Sequence, residues 1–292
     1  MAIRALFQSL CANRLARRIA LAALIISLLL GGVQLRRWTW AETRHVRFQH
    51  DILNAFYWGS ETLAQARRIS PNETSGNSWA AFARGYFTLY DRVQQKAYRN
   101  DYRLDYPPLR LLVMSIWARQ VRNDFPGVDD GHPKHLKPLL NVNLACELIS
   151  AVAIFFLVRL WVRRSAGATH SSLLRGLPLQ HRAAICGLAA ASVAWLEPSM
   201  ILDTHGWPQW DVWIVPFFLF AVLAALKKRW FLCGCLLAAG AMLKGQLLLV
   251  VPFFVLWPLW QKRWVRALRL LAGLRRRRPW WFRPGFCALQ RR

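Results

Sequence analysis

Between Ile201 and Asp211 the chain reads Ile-Leu-Asp-Thr-His-Gly-Trp-Pro-Gln-Trp-Asp, which sets Asp203, His205, Gln209 and Asp211 between two apolar stretches. A short turn joining two membrane helices has no need of two acids, a histidine and an amide, and ionisable groups in such places mark functional sites. The tryptophans of the knot are accounted for by the aromatic belt at a membrane interface; the four polar groups are not. Asp203 and Asp211 are paired carboxylates of the kind that suits Mg or Mn, although nothing in the pattern requires a metal. A second pattern is Leu104-Asp105-Tyr106-Pro107-Pro108-Leu109. Its prolines fix an extended entry and remove two donors, so Asp105 and Tyr106 are presented rigidly at a helix start, where proline is tolerated and a carboxylate suits the dipole. A plain helix start is the other reading of that segment. Lys244, followed by Gly245 and Gln246, is the third: a lone charge among Ala, Met and Leu. It is costly inside an apolar stretch, unless the stretch breaks there or the lysine reaches from a helix end to water.

The elements that carry these groups are apolar helices. Of the 292 residues, 55% are hydrophobic and 18% charged, against roughly 25% charged in a soluble domain. Ile19 to Leu35, Leu139 to Leu160, Ile185 to Leu202, Val212 to Leu226 and Trp230 to Trp260 are nearly uncharged, and most approach the ~20 residues that cross a ~30 Å hydrocarbon layer. Only helices satisfy their backbone groups there among chains of this pattern. The net charge of +26 on a soluble protein would suggest nucleic acid. Here Arg14, Arg17, Arg18, Arg159, Arg163, Arg164, Lys227, Lys228, Arg229 and the run Arg275 to Arg278 flank apolar segments, as expected of cytoplasmic loops against anionic headgroups. Nucleic acid is therefore not expected as a partner. The six cysteines show no CxxC spacing and give no metal or redox signal.

The expected fold is an all-α integral membrane protein of about six transmembrane helices with a large helical first external loop. Residues 1–18 form a cytoplasmic start, 19–35 the first crossing, 36–137 the external loop, 138–260 the remaining bundle and 261–292 a basic tail, which also reads as a truncated end of a longer chain. Within the loop, Leu109 to Val121 is about 13 residues long and carries Arg110 and Arg119, so it is expected at the interface and not across it. If it crossed, the arginine-rich loop 159–182 would lie outside, against the cationic-inside bias. With it uncrossed, the basic loops fall inside, and the knot at 203–211 and Lys244 share the outer face with the large loop.

These motifs, in this order, resemble the multi-membrane-span (GT-C type) glycosyltransferases that use polyprenyl-phosphate sugars, and most closely the dolichyl-phosphate-glucose-dependent glucosyltransferases that extend the lipid-linked oligosaccharide. The resemblance rests on Leu104 to Leu109, on Asp203, His205, Gly206, Gln209, Trp210 and Asp211, and on Lys244-Gly245-Gln246; it covers about Trp38 to Leu256, the N-terminal half of such an enzyme. It implies an inverting transfer of a hexose from the donor to a hydroxyl acceptor, a lipid-linked glycan among others, at the periplasmic or lumenal face. One carboxylate early in the external loop then suffices as base. Asp51 is the first candidate, sharing one side of a helix with Asn54 and Trp58, Glu42 the second and Glu61 a third. Lys244 would meet the departing phosphate charge, and His205 and Gln209 would orient the pyranose or the phosphate. The expected location is a bacterial inner membrane or an endoplasmic reticulum membrane. Two other readings stay open: a small-solute transporter, which would predict an inverted repeat that is not seen, and a non-catalytic fragment or scaffold of the same family.

Overall fold

The computed structural model describes residues 14–43, 50–69, 78–94, 107–127, 133–165 and 177–276. Among these the backbone is helical and no strand occurs. Helix α1 (Arg14–Thr43) is 30 residues long and α5 (Lys137–Arg164) is 28, so each reaches more than ~40 Å at ~1.5 Å per residue. Both are long and apolar enough to cross a membrane. Leu24, Ile26 and Leu30 of α1 and Leu148, Val152 and Phe156 of α5 face outward, a surface that lipid tails cover and water would not tolerate at this extent. The chain is an all-α membrane protein.

The other apolar stretches are divided. Helix α6 (Leu179–Trp195) bends by 41° into α7 (Pro198–Ile201) and a π-helical turn (Leu202–Gly206). Pro198 cannot continue the donor ladder, and the Glu197 carboxylate caps the new start by accepting from the Met200 N–H at 2.7 Å. The stretch expected as one crossing at Val212 to Leu226 is a 3-10 turn (Asp211–Ile214) followed by α8 (Val215–Leu226), with Pro216 at its start. The nearly uncharged stretch Trp230 to Trp260 is α9 (Trp230–Leu243), a 3-10 turn (Gly245–Val250) and α10 (Val251–Trp260), with the break at Lys244. At 10 to 14 residues, α8, α9 and α10 each fall short of the ~30 Å core. The all-α membrane fold expected with about six transmembrane helices is compatible with this arrangement: among the described residues two helices, or three if the bent pair is one span, are long and apolar enough to cross unaided, and α8, α9 and α10 are shorter apolar helices broken off by Pro216, Lys244 and Pro252.

Outside the apolar helices stand α2 (His50–Ile69), α3 (Trp79–Gln94) and α4 (Pro108–Asp124). They pack at backbone contact. A Cβ on Gly59 of α2 would lie 2.4 Å from the Met114 carbonyl oxygen of α4, and one on Gly85 of α3 would lie 2.6 Å from the Thr62 carbonyl oxygen of α2. The Ser115 hydroxyl donates to Thr62 Oγ1 at 2.8 Å, and the Tyr86 hydroxyl donates to the Pro108 carbonyl at 2.8 Å. Burial, helped by neighbouring Tyr90, pushes the Tyr86 phenol well above its ordinary value, so it stays a donor. The arginines that argue against a crossing at Leu109 to Val121 are both buried in α4, with Arg110 over the Trp210 ring at 5.6 Å and Arg119 over the Trp79 ring at 4.1 Å. Aromatic faces hold the guanidiniums where water is scarce.

One core ties this outer unit to the knot. Ile52, Phe56, Met114, Trp117 and Val121 meet Leu139, Trp210, Trp213 and Leu243, with Trp117 edge-on to Trp210 at 5.4 Å and Trp210 to Trp213 at 4.9 Å. The helix ends sort into two groups. Thr39 and Thr43 at the end of α1 lie against Gly206, while Arg164 at the far end of α5 donates to the Leu226 carbonyl at the end of α8 at 2.7 Å. The last described helix, α11 (Trp264–Arg276), lies on α9, where Cβ atoms on Gly234 and Gly273 would come within 2.1 and 2.2 Å of the Leu270 and Phe231 carbonyl oxygens.

Candidate functional site

The knot is built from the buried side outward. Asn143, one turn above Glu147 on α5, donates from Nδ2 to the Thr204 carbonyl at 2.9 Å and the Gln209 carbonyl at 3.1 Å, and accepts from Trp213 Nε1 at 2.6 Å. One fully buried amide therefore holds both ends of the turn and the following helix. The π-helical turn closes with the Trp207 N–H on the Leu202 carbonyl at 2.7 Å, and the Gln209 N–H reaches back to the Asp203 carbonyl at 3.1 Å. Such turns occur often at functional sites, because the extra residue swings neighbouring side chains out of helical register.

Behind the turn is a buried ion pair. The Arg36 Nε–H donates to Glu147 Oε2, with side chains 2% and 0% exposed. Arg36 also donates to the carbonyls of Gly32 and Trp195, each at 2.9 Å, and its guanidinium lies 3.9 Å from the Trp195 ring centroid. Trp195 donates its indole N–H to the Leu28 carbonyl at 3.1 Å, and a Cβ on Gly32 would lie 2.0 Å from that indole nitrogen. The other oxygen of Glu147 accepts from the Thr204 hydroxyl, and His205 Nδ1 lies 2.8 Å from Thr204 Oγ1 and 3.5 Å from Glu147 Oε1. A buried pair of charges survives only with such complete hydrogen bonding.

On the open side, Lys244 Nζ donates to Asp211 Oδ1, with side chains 20% and 49% exposed. Lys244 takes an extended conformation at φ −149° and ψ 116° that ends α9; its charge stands at a helix break and so avoids the cost of a position inside a span. Asp203 is exposed and Gln209 half-buried, whereas His205 is buried. Five of the expected residues, Asp203, His205, Gln209, Asp211 and Lys244, thus come together at one end of the bundle. Gln246 is exposed in the 3-10 turn after Lys244. Glu42 is exposed in the last turn of α1, between residues of the same turn that touch Gly206. Position 51 falls in the first turn of α2, next to buried Ile52; Asp105 and Tyr106 lie outside the described residues. Among the described residues no three His, Cys, Asp or Glu side chains gather to hold a metal, and one oxygen of Asp211 is already taken by Lys244.

Residues 104–274, more than half of the chain, match the model of glycosyltransferase family 87. The chain belongs to this family. Family 87 membership makes it a membrane glycosyltransferase, a transferase that moves a sugar from a donor to an acceptor. The family 87 match runs from Leu104 of the double-proline motif to Leu274 of α11, so it takes in Glu147, the knot and Lys244. Arg36, Glu42 and Asp51 precede it. Neither a curated protein nor a solved structure matches the chain.

Proposed function

We propose that the chain transfers a hexose from a polyprenyl-phosphate donor to a hydroxyl acceptor on the outer face of the membrane, with inversion at the anomeric carbon. The observation that carries this reading is the Lys244–Asp211 pair: a cation at a helix break, beside a hydrogen-bonded polar turn, held by a carboxylate that is itself half exposed. An anionic ligand can compete for such a lysine, whereas Arg36 is fully engaged. In the reaction the acceptor oxygen bonds to the anomeric carbon as the bond from that carbon to the phosphate oxygen breaks. The hydroxyl proton passes to a carboxylate, and the polyprenyl phosphate leaves with one more negative charge. A lysine in a water-poor setting stabilises that charge as it develops, and Gln209 and Gln246 are the amides proposed to complete the donor site.

Asp51 is the proposed base and Glu42 the second carboxylate to test, since α2 joins the core that contains Trp210 and the last turn of α1 lies against Gly206. Asp105 and Tyr106 are proposed to complete the donor site from the double-proline segment. Donor lipid and membrane phospholipids are the implied partners, a bacterial inner membrane is the favoured location, and the transfer as written does not require a divalent metal. The test is transfer in proteoliposomes containing polyprenyl-phosphate glucose or mannose. Asp51→Asn is expected to lower the rate by about 10²–10⁴-fold, the range for a positioned base, in protein that still runs as a folded species. Full activity of Asp51→Asn would move the role to Glu42, and no transfer of either sugar by folded wild type would remove the donor assignment.

A further inference from the structure

The buried network behind the knot fixes more than the backbone. Glu147 is an anion paired to Arg36, so neither of its oxygens carries a proton to donate. The Thr204 hydroxyl has one proton, and its surrounding acceptors are Glu147 Oε1 and the Met200 carbonyl at 2.7 Å. If that proton were turned toward His205 instead, the hydroxyl and carboxylate oxygens would face each other lone pair to lone pair. His205 Nδ1 therefore meets only oxygen lone pairs, those of Thr204 Oγ1 at 2.8 Å and Glu147 Oε1 at 3.5 Å. In a neutral ring the nitrogen so placed is the one that bears hydrogen, which leaves Nε2 with its lone pair, because the partner of one ring nitrogen sets the state of the other. Nε2, on the far side of the ring, has no hydrogen-bond partner among the described residues.

We propose that Glu147, acting through Thr204, is a positioning residue that holds His205 in its Nδ1–H form, so that Nε2 offers a lone pair to a hydroxyl of the bound sugar. A neutral imidazole presenting a lone pair repels a phosphate oxygen and accepts from an O–H. The two polar ends of the site are thereby divided: Lys244 reads the phosphate and His205 reads the pyranose. This inference rests on the reading of the knot as the donor site, but the tautomer is measurable without any turnover.

The first experiment is nitrogen NMR of the full chain in lipid nanodiscs with ¹⁵N-labelled histidine, the His205 signals being identified by their loss in His205→Asn. Wild type is expected to show a protonated Nδ1 and a bare Nε2. Thr204→Val, which keeps the Arg36–Glu147 pair and nearly the same volume, is expected to lose that preference, and Thr204→Ser to keep it. In proteoliposomes with polyprenyl-phosphate glucose or mannose, Thr204→Val should lower kcat/KM about tenfold, the size of one hydrogen bond to a substrate, and Thr204→Ser should restore it. Inhibition by farnesyl phosphate, which has no sugar, should change less than about twofold by the same reasoning. A wild-type His205 protonated at Nε2 would overturn the proposal, as would a Thr204→Val protein with unaltered tautomer, or one whose main loss is in farnesyl phosphate binding. The expected tautomer in a wild-type protein that transfers neither sugar would support the relay and count against the polyprenyl donor.

Discussion

Arg36 and Glu147 show how a single pair can decide whether the site exists. Removing one partner leaves the other buried and uncompensated, at a cost of about 3–5 kcal/mol, while replacing both with apolar groups of similar volume is often neutral. Glu147→Leu is therefore expected to lower the unfolding free energy of the detergent-solubilised protein by roughly that amount, and Arg36→Met with Glu147→Leu to recover most of it, as read from denaturant midpoints. The double variant should still lack normal transfer, because Thr204 has lost its acceptor. At the open edge the balance differs. Lys244→Ala should leave the midpoint within about 0.5 kcal/mol, the usual range for partly exposed positions, but lower transfer about 10²–10³-fold in initial-rate measurements. At this scale the sequence made the knot and Lys244 visible, since polar groups stand out between apolar stretches. Glu147 was missed because one acid in 28 residues leaves a stretch nearly uncharged. The signal was its register: Asn143, Glu147 and Ser150 stand at i, i+4 and i+7, a polar stripe on one face of an apolar helix, and all three are buried.

Glycine sets the distance between helices, and α1 contains its own control. Gly31 and Gly32 are adjacent, yet a Cβ on Gly31 meets nothing within 4 Å while one on Gly32 meets the Trp195 indole at 2.0 Å. Gly31→Ala is expected to be neutral or to stabilise by up to ~1 kcal/mol through helix propensity. Gly32→Ala should destabilise by about 1–3 kcal/mol, since Trp195 cannot shift without giving up its bond to Leu28 and its stack on Arg36. Equal melting temperatures for the two variants would refute that packing. The reason helix lengths were only partly legible is also local. The apolar count ends α1 at Leu35, but the helix runs to Thr43, because Arg36 finds its counter-charge on α5, a contact that hydropathy cannot register. Conversely, the break that Lys244-Gly245-Gln246 marks inside Trp230 to Trp260 lies where the lone charge puts it, whereas Val212 to Leu226 reads as continuous by composition and is a 3-10 turn followed by a helix with Pro216 at its start.

For the molecule as a whole, the described helix ends sort into two poles, and which of them faces the cytoplasm is a matter for experiment. The end of α1, the start of α5, the knot and the end of α9 gather at one pole, and the ends of α5 and α8 at the other. In a cysteine-free background, Trp207→Cys is expected to react with an impermeant maleimide from outside sealed cells and Lys228→Cys only after permeabilisation; the reverse pattern would invert the site to the cytoplasmic side. The broken helices also bear on the lipid around the protein. At 14 residues, α9 reaches only about 21 Å, some 10 Å less than an average hydrocarbon core, and hydrophobic mismatch of that size is met by a thinner bilayer or by flanking residues that reach out of it. With the proposed orientation, the headgroup plane dips toward Lys244, so a long-chain lipid phosphate arrives at the lysine without leaving its own depth, and transfer should run faster in short-chain than in long-chain phosphatidylcholine vesicles.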